Sequence, residues 1–357
     1  MYKTVSNVSL DGIFSGVIMH FDNRFTQELS YMSKYIGQEE DFVQAGGGNT
    51  SVKIDEKYML IKSSGVHLSE VSEDNGFSVI DYKMIRDSFR SCGLAEDVLE
   101  RSLKVGCRPS IETYLHALTD TYTIHSHPLC VALFACKKDG LRQLRDFFPD
   151  SIIVDYAMPG IKLARLCCKS MGDKSQKSIV FLKNHGLIVS ACSKNDAVEL
   201  HDDVIKRIYG LLDWDYSKHD ITKKIFNFFH DIDNELIVYR SNFLKDVPEC
   251  IGMNGDLAYT PDCVVYCGLK PCVISNKVNV CAELDSFVKT NGVPKIVLIE
   301  GNVLIIARTM KQAKNIESVF QYTLKLKENL KENAETLGRE DAVELLNWDA
   351  ERYRQNL

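Results

Sequence analysis

The 357-residue sequence predicts an α/β protein, a sheet with helices on its faces followed by a smaller C-terminal α/β domain. Three observations predict it. Strand and helix periodicities intermix up to about residue 215 without the strict βαβ rhythm of a parallel sheet. Hydrophobic residues make up 45% and charged residues 26%, a globular composition that excludes disordered, collagen-like and coiled-coil chains. The character of the chain changes between residues 216 and 245, where Lys223 to Asp231 is basic and aromatic and Glu235 to Leu244 amphipathic. At roughly 150 residues per domain the length suits two, with expected spans of 1–220 and 221–357.

The elements follow in order. Phe21 to Gln38 carries Phe25, Leu29, Met32 and Ile36 at helical spacing. Phe42 to Ile54 begins apolar, passes through Gly46-Gly-Gly-Asn49 and re-enters as a strand. Tyr58 to Ser63 alternates as a strand, and Ser64-Gly65-Val66 makes a turn. Phe77 to Asp81 is another strand. Pro109 is a helix-start signal, and Glu112 to Asp120 has helical character. Tyr122 to His127 and Ser151 to Tyr156 read as strands. Ile179 to Leu182 and Leu187 to Ser190 are strands broken at Asn184-His-Gly186, and a helix runs from about Asn195 to Trp214. The same strand, turn, strand, helix succession returns at Ile296-Val-Leu-Ile, Gly301-Asn and Val303-Leu-Ile-Ile, without a histidine at the turn. It reads either as a common hairpin-helix unit or as a degenerate copy that lost its site.

Charge and cysteines narrow the classes. Forty-three Lys and Arg against 49 Asp and Glu give a net charge of -6. That argues against nucleic acid as the main partner, because a phosphate backbone demands a basic face. None of the 12 cysteines forms a C-x-x-C pair, so they are expected to be reduced thiols packed as small hydrophobes. The first fourteen residues lack the apolar core of a signal peptide, and no apolar run approaches the ~18 residues that span a bilayer. A soluble, cytoplasmic protein without membrane partners is expected.

Three histidines stand out. His125 and His127 lie two apart on a strand, so period 2 turns both imidazoles to one face. His185 sits at the Asn-His-Gly turn. An i, i+2 pair with a remote third imidazole is a layout of catalytic zinc, which takes three protein ligands and keeps a position open; a surface pair has the same spacing. Glu112 opens the helix before the His125 strand, where it can serve as a metal ligand or general base, or merely complement the helix dipole. The run Gly46-Gly-Gly-Asn-Thr-Ser51 is neither a Walker A loop nor G-x-G-x-x-G. Its backbone N–H groups, the Ser63-Ser64-Gly65 turn and Ser110 can nevertheless hold an anion.

In this order, Gly-Gly-Asn-Thr-Ser, Ser-Gly, Pro-Ser-Ile-Glu, His-Ser-His-Pro and Asn-His-Gly resemble the class II aldolase/adducin family over roughly residues 20–215. The chain looks most like the long rhamnulose-phosphate aldolase module that is found fused to a short-chain dehydrogenase. Thr260-Pro-Asp and Glu344-Leu-Leu-Asn-Trp-Asp-Ala-Glu resemble that module's second half. The resemblance implies a three-layer α/β/α fold with a central, mainly antiparallel sheet. It implies a divalent metal, usually Zn²⁺, on His125, His127 and His185, with Glu112 as acid/base. It implies phosphate loops at Gly48-Asn49, Ser64-Gly65 and Ser110, although Ile111 replaces a second serine of the short fuculose-type enzymes. The implied function is a lyase that cleaves or forms a C–C bond in a sugar or sugar-phosphate through an enediolate the metal stabilises. The family also implies a homo-oligomer such as a tetramer. Alternatives within it are an epimerase, a dehydratase, a decarboxylase, or a non-catalytic adducin-like interaction protein.

Overall fold

Helix α1 (Arg24–Gly37) forms where apolar residues recur on one stripe, and Leu29, Met32 and Ile36 on that stripe are fully buried. The computed structural model describes residues 22–90, 97–171, 178–245, 247 and 257–348, with two-residue strands β1 (Ile13–Phe14) and β2 (Val17–Ile18) before them. The N-terminal segment read against a signal peptide lies outside the described residues. The chain divides into two compact units, Met1–Tyr216 and Ser217–Leu357.

In the first unit, α1 is followed by β3 (Asn49–Lys53), β4 (Tyr58–Lys62), β5 (Phe77–Asp81), α2 (Tyr82–Arg90), α3 (Val98–Ser102), β6 (Leu103–Gly106) and α4 (Thr113–His116). Then come β7 (Tyr122–Ser126), α5 (Leu129–Ala135), α6 (Gly140–Phe147), β8 (Ile152–Val154), α7 (Ile161–Met171), β9 (Ser178–Leu182), β10 (Gly186–Ala191) and α8 (Lys194–Leu211). Eight strands make one sheet in the order β6-β5-β4-β3-β7-β10-β9-β8. Every pairing is antiparallel except β8 with β9. Alternation along the strands gives the sheet two apolar faces. Met59, Ile61, Ile80, Val180, Leu182 and Ile188 pack with residues of α2, α4 and α7. Helices α1, α5 and α8 cover the other face. The result is a three-layer α/β/α unit with a mainly antiparallel sheet.

Two segments differ from the sequence reading. The helix expected over Glu112 to Asp120 is a single α-turn, α4. Its continuation is diverted because Thr119 Oγ1 donates to the His116 carbonyl and Asp120 accepts from the Thr121 N–H, local bonds that compete with a helix. The amphipathic segment Glu235 to Leu244 contains the strand β11 (Ile237–Arg240), buried at all four positions.

The second unit holds α9 (Ser217–Ile232), β11, α10 (Pro261–Cys267), β12 (Cys272–Ile274), α11 (Val280–Asn291), β13 (Ile296–Ile299), β14 (Asn302–Ala307), α12 (Met310–Leu330) and α13 (Arg339–Asn347). Its sheet runs β11-β14-β13-β12, antiparallel, antiparallel, then parallel. That is the order and sense of β7-β10-β9-β8 in the first unit. Each hairpin leads into a long helix capped by a hydroxyl. Ser193 accepts from the Asp196 N–H and Thr309 from the Gln312 N–H, both at 3.1 Å.

Candidate metal centre and substrate cleft

The candidate site is built where β3, β7 and β10 lie side by side. His125 on β7 faces Asn49 on β3 and Ile188 on β10. Period 2 turns His127 to the same side, and its Nε2 comes within 3.0 Å of His125 Nε2. The β9–β10 turn places Asn184 at φ +53° and brings His185 Nε2 within 3.2 Å of His125 Nε2. From the opposite element, Glu112 at the start of α4 sets Oε1 2.8 Å from His185 Nε2 and 3.3 Å from His125 Nε2. These four residues form the one group found among the described residues that could hold a metal ion, with their candidate ligand atoms all within 4.8 Å of one another.

The donor set suits a cation. A tetrahedral zinc-type ion with bonds of about 2.0–2.1 Å spaces its ligand atoms about 3.3–3.4 Å apart, close to the separations above. The Leu187 carbonyl can only accept, so His125 Nδ1–H donates to it at 2.9 Å and the Nε2 lone pair faces the cluster. Three imidazole nitrogens converging on one carboxylate oxygen is a poor arrangement for the nitrogens alone and a good one around a positive charge.

The electrostatics agree. Burial alone would raise the Glu112 pKa, but His125 and His185 overcome it and hold the carboxyl well below its usual range. Burial opposes the charged form of His125, and Glu112 outweighs it, so the His125 pKa is raised. His127 is pushed down to about 3 by burial and by repulsion from His125 and His185.

Close backbone approach makes two glycines necessary. Gly48 has φ +64°, a left-handed conformation that side chains disfavour. A Cβ on Gly186 would stand 2.3 Å from the Ser126 carbonyl. Beside the cluster opens a cleft of about 670 Å³, whose lining includes Gly46 to Asn49, Ser64, Glu100, Arg108 to Glu112, His127 and Met158 to Lys162. It brings Gly48, Asn49, Ser64 and Ser110 together with Glu112 and His127. Gly65, at φ +81°, does not line it. Asn49 Nδ2 donates to Glu112 Oε2 at 2.6 Å and to Ser110 Oγ at 3.3 Å, so Asn49 clamps the carboxylate. Its Oδ1 is buried with no protein partner among the described residues.

Sequence reasoning missed Arg108 and Lys162 on the cleft wall and Lys62 behind the glycine run. Lys62 is buried and donates from Nζ to the Gly46 carbonyl at 2.9 Å; burial pushes its pKa down to about 8. A buried lysine directly after the apolar run Tyr58 to Ile61, within the same strand, was the available signal. The cysteines divide. Cys130, Cys167, Cys263, Cys267 and Cys272 are buried free thiols as expected, whereas Cys107, Cys136, Cys192 and Cys281 are exposed.

Residues 27–206 match the model of the class II aldolase and adducin N-terminal domain. The chain belongs to this family. A curated relative is the "Uncharacterized oxidoreductase YuxG" of Bacillus subtilis (strain 168), 29% identical over 179 residues, covering 45% of this chain and 26% of the relative. The chain therefore spans about a quarter of that relative's length. Among solved structures, the N-terminal class II aldolase domain of a conserved Thermoplasma acidophilum protein is 22% identical, with a TM-score of 0.47 over 59% of this chain and 99% of that one. A sugar-phosphate aldolase from Thermotoga maritima is 14% identical, with a TM-score of 0.39 over 53% and 95%. No helix among the described residues is long and apolar enough to cross a membrane.

The second unit has a counterpart to part of this site. Leu187 of β10 pairs with Ser126, and the Ser241 N–H donates to the carbonyl of Val303, the second residue of β14. Arg240, Ser241 and Asn242 thus occupy the places of His125, Ser126 and His127. The β13–β14 turn, Glu300-Gly301, is one residue shorter than Lys183-Asn184-His185, so nothing stands in the place of His185. The serine bond remains. Ser126 Oγ bonds His201 Nε2 at 2.9 Å, and Ser241 Oγ donates to Glu317 Oε1. His201 follows its capping Ser193 by eight residues and Glu317 follows Thr309 by eight.

Proposed function

We propose that the first unit is a divalent-metal-dependent lyase of aldolase type, cleaving or forming a C–C bond in a sugar or sugar-phosphate. The convergence of three imidazole nitrogens and one carboxylate oxygen beside a substrate-sized cleft carries this reading. His125, His127 and His185 would hold the ion, and a nitrogen-rich set of this spacing suits Zn²⁺. A bound ion supplies Lewis-acid stabilisation of negative charge on substrate oxygens.

The chain's own groups do the rest. Glu112, held ionised and clamped by Asn49, takes a proton from carbon in the condensation direction and returns it in cleavage. Gly48, Asn49, Ser64 and Ser110 serve the anionic end of the substrate through N–H and O–H donors. Arg108 adds a positive charge on the same wall. Ile111 brings no hydroxyl, so the donors there are fewer than in the short fuculose-type enzymes. The same groups would serve an epimerase, dehydratase or decarboxylase on a related substrate. The completeness of the donor set disfavours a purely structural, adducin-like role.

Residues 1–220 form the catalytic domain in this reading, and 221–357 a smaller domain derived from a copy of its β7-to-α8 portion, supported by the shared strand order and register. The resemblance at Thr260 and Glu344 supports the long rhamnulose-phosphate type. A cytoplasmic homo-oligomer completes the proposal.

The test is metal analysis of the purified protein with a panel of ketoses and ketose phosphates scored for carbonyl products. The expected result is stoichiometric metal in wild type, lost in His125→Ala and His185→Ala. Glu112→Gln is expected to keep folded structure and lose turnover. Wild type without stoichiometric metal, or inactive on the whole panel, would defeat the reading.

A further inference from the structure

The second unit contains a cleft of about 470 Å³, built where α10, α11 and α13 meet the entry to β13. That is within the ~300–1,000 Å³ typical of small-molecule sites. Its charged residues are all cations: Lys270, Lys295 and Arg339, with no carboxylate in the lining. Among the described residues, none of the three is in an ion pair with an acidic side chain. Lys295 is half-buried, its stem packed toward Gly268, where α10 ends. Burial, then the nearby Arg308, lower its pKa, and no acidic group counters them. The rest of the lining is mostly apolar, with Thr290 and Asn291 as its uncharged polar side chains. Leu337 and Leu346 belong to the cluster that seats α13 on α10, and Phe287 lies 5.5 Å beneath the Lys270 ammonium.

Two of the cations have a local explanation. Gly268 and Gly292 end α10 and α11, and helix C-termini attract lysines. Arg339 has the opposite setting. It is the first residue of α13, where the helix dipole disfavours a cation. It is exposed and shares that turn with Glu340 and Asp341, yet among the described residues it forms no ion pair with either, so its charge is available to an anion in the cleft. Three cations match a phosphate monoester, which carries about -1.5 to -2 at neutral pH, and the apolar wall matches an organic body.

We propose that this cleft is a second ligand site, taking a phosphate monoester with an apolar or aromatic body. Nothing in the proposal depends on the chemistry of the first unit.

The full chain is titrated calorimetrically with phenyl phosphate at low salt, with inorganic phosphate and phenol as comparison arms. Saturable binding of phenyl phosphate is expected, tighter than either comparison. Arg339→Ala and Lys295→Met are each expected to weaken it roughly tenfold, as losing a charge-assisted hydrogen bond does. Gly210→Ala, in α8 of the first unit with nothing within 4 Å of the new Cβ, should leave it unchanged. The exposed Lys270→Met replaces Lys295→Met if the latter perturbs the circular dichroism spectrum. The proposal is overturned by no saturable binding. It is overturned equally by binding that survives the cation variants, by an equal weakening in Gly210→Ala, or by inorganic phosphate or phenol binding as tightly.

Discussion

Gly186→Ala is the sharpest test of how the site is assembled. Gly186 opens β10 directly after His185, and its missing side chain lets the Ser126 carbonyl of β7 approach. A new Cβ would sit 2.3 Å from that oxygen and 3.0 Å from His127 Cδ2, against ordinary contact from 3.4 Å. Relief therefore requires a strand separation of 3.4 − 2.3 = 1.1 Å. The opposing atom is backbone, so no rotamer change can absorb it. Overpacking of this kind costs about 1–3 kcal/mol. The same displacement moves His185 relative to His125 and His127, and metal–ligand distances tolerate only about 0.2 Å. Gly210→Ala in α8, with nothing within 4 Å of the new Cβ, is the control. It should be neutral or stabilising by up to about 1 kcal/mol. Urea denaturation in chelator reads the stability term, and elemental analysis after dialysis reads the metal. Gly186→Ala with an unchanged midpoint and full metal content would refute the close-packed β7–β10 junction.

Acid sensitivity has a named source in His116. Burial, then repulsion from His125, hold it neutral and push its pKa down to about 3, against 6.5 when unfolded. The unfolded chain therefore binds the extra proton between these values. The contribution of His116 to stability is full above about pH 6.5 and falls progressively as pH drops toward 3. In His116→Asn the urea midpoint should depend less steeply on pH between 7 and 4.5, by up to one proton; an equal slope would remove His116 from the acid limb. Ser126→Ala removes the hydroxyl bonded to buried His201 Nε2 and should cost about 1–3 kcal/mol, whereas Ser241→Ala leaves Glu317 Oε1 its bond from Tyr239 and should cost about 1 kcal/mol; chemical denaturation reads both, and a cost near zero in both would show that the two bonds are dispensable. Thr309→Ala removes a helix cap and should cost about 1 kcal/mol; unchanged stability would mean that the Gln312 N–H finds another acceptor.

Local signals in the sequence reached the fold as far as periodicity carries. The apolar stripe of α1 and the apolar runs of β9, β10, β13 and β14 are legible because neighbours along the chain decide them. His125 and His127 share a face by period alone, and that much of the site follows from two residues. The rest depends on contacts distant in sequence. Glu112 reaches His185 across 73 residues, and only the sheet order brings them together. Strand β11 escaped because a fully buried strand has no alternation to read, and Lys62 because its significance lies in the glycine run it touches. Helices α5, α6 and α7 went unread among short apolar segments whose type is fixed by packing.

The buried serine bond in both units separates scaffold from chemistry. Its partner is histidine in one and glutamate in the other, yet strand, helix and capping hydroxyl keep the same spacing. In the unit with Arg240 and Asn242 it persists without the two imidazoles that flank it in the first. Its job is thus to lock a long helix onto a sheet, whatever that sheet is used for. Reactivity then resides in a detachable set of features: two strand positions, one extra turn residue and a carboxylate from elsewhere. Gaining or losing the site requires no rebuilding of the interior. A protein arranged this way can carry the same strand and helix frame twice with different side chains at the key positions, and exchanging the two strand positions and the turn length between the units would measure how little separates them.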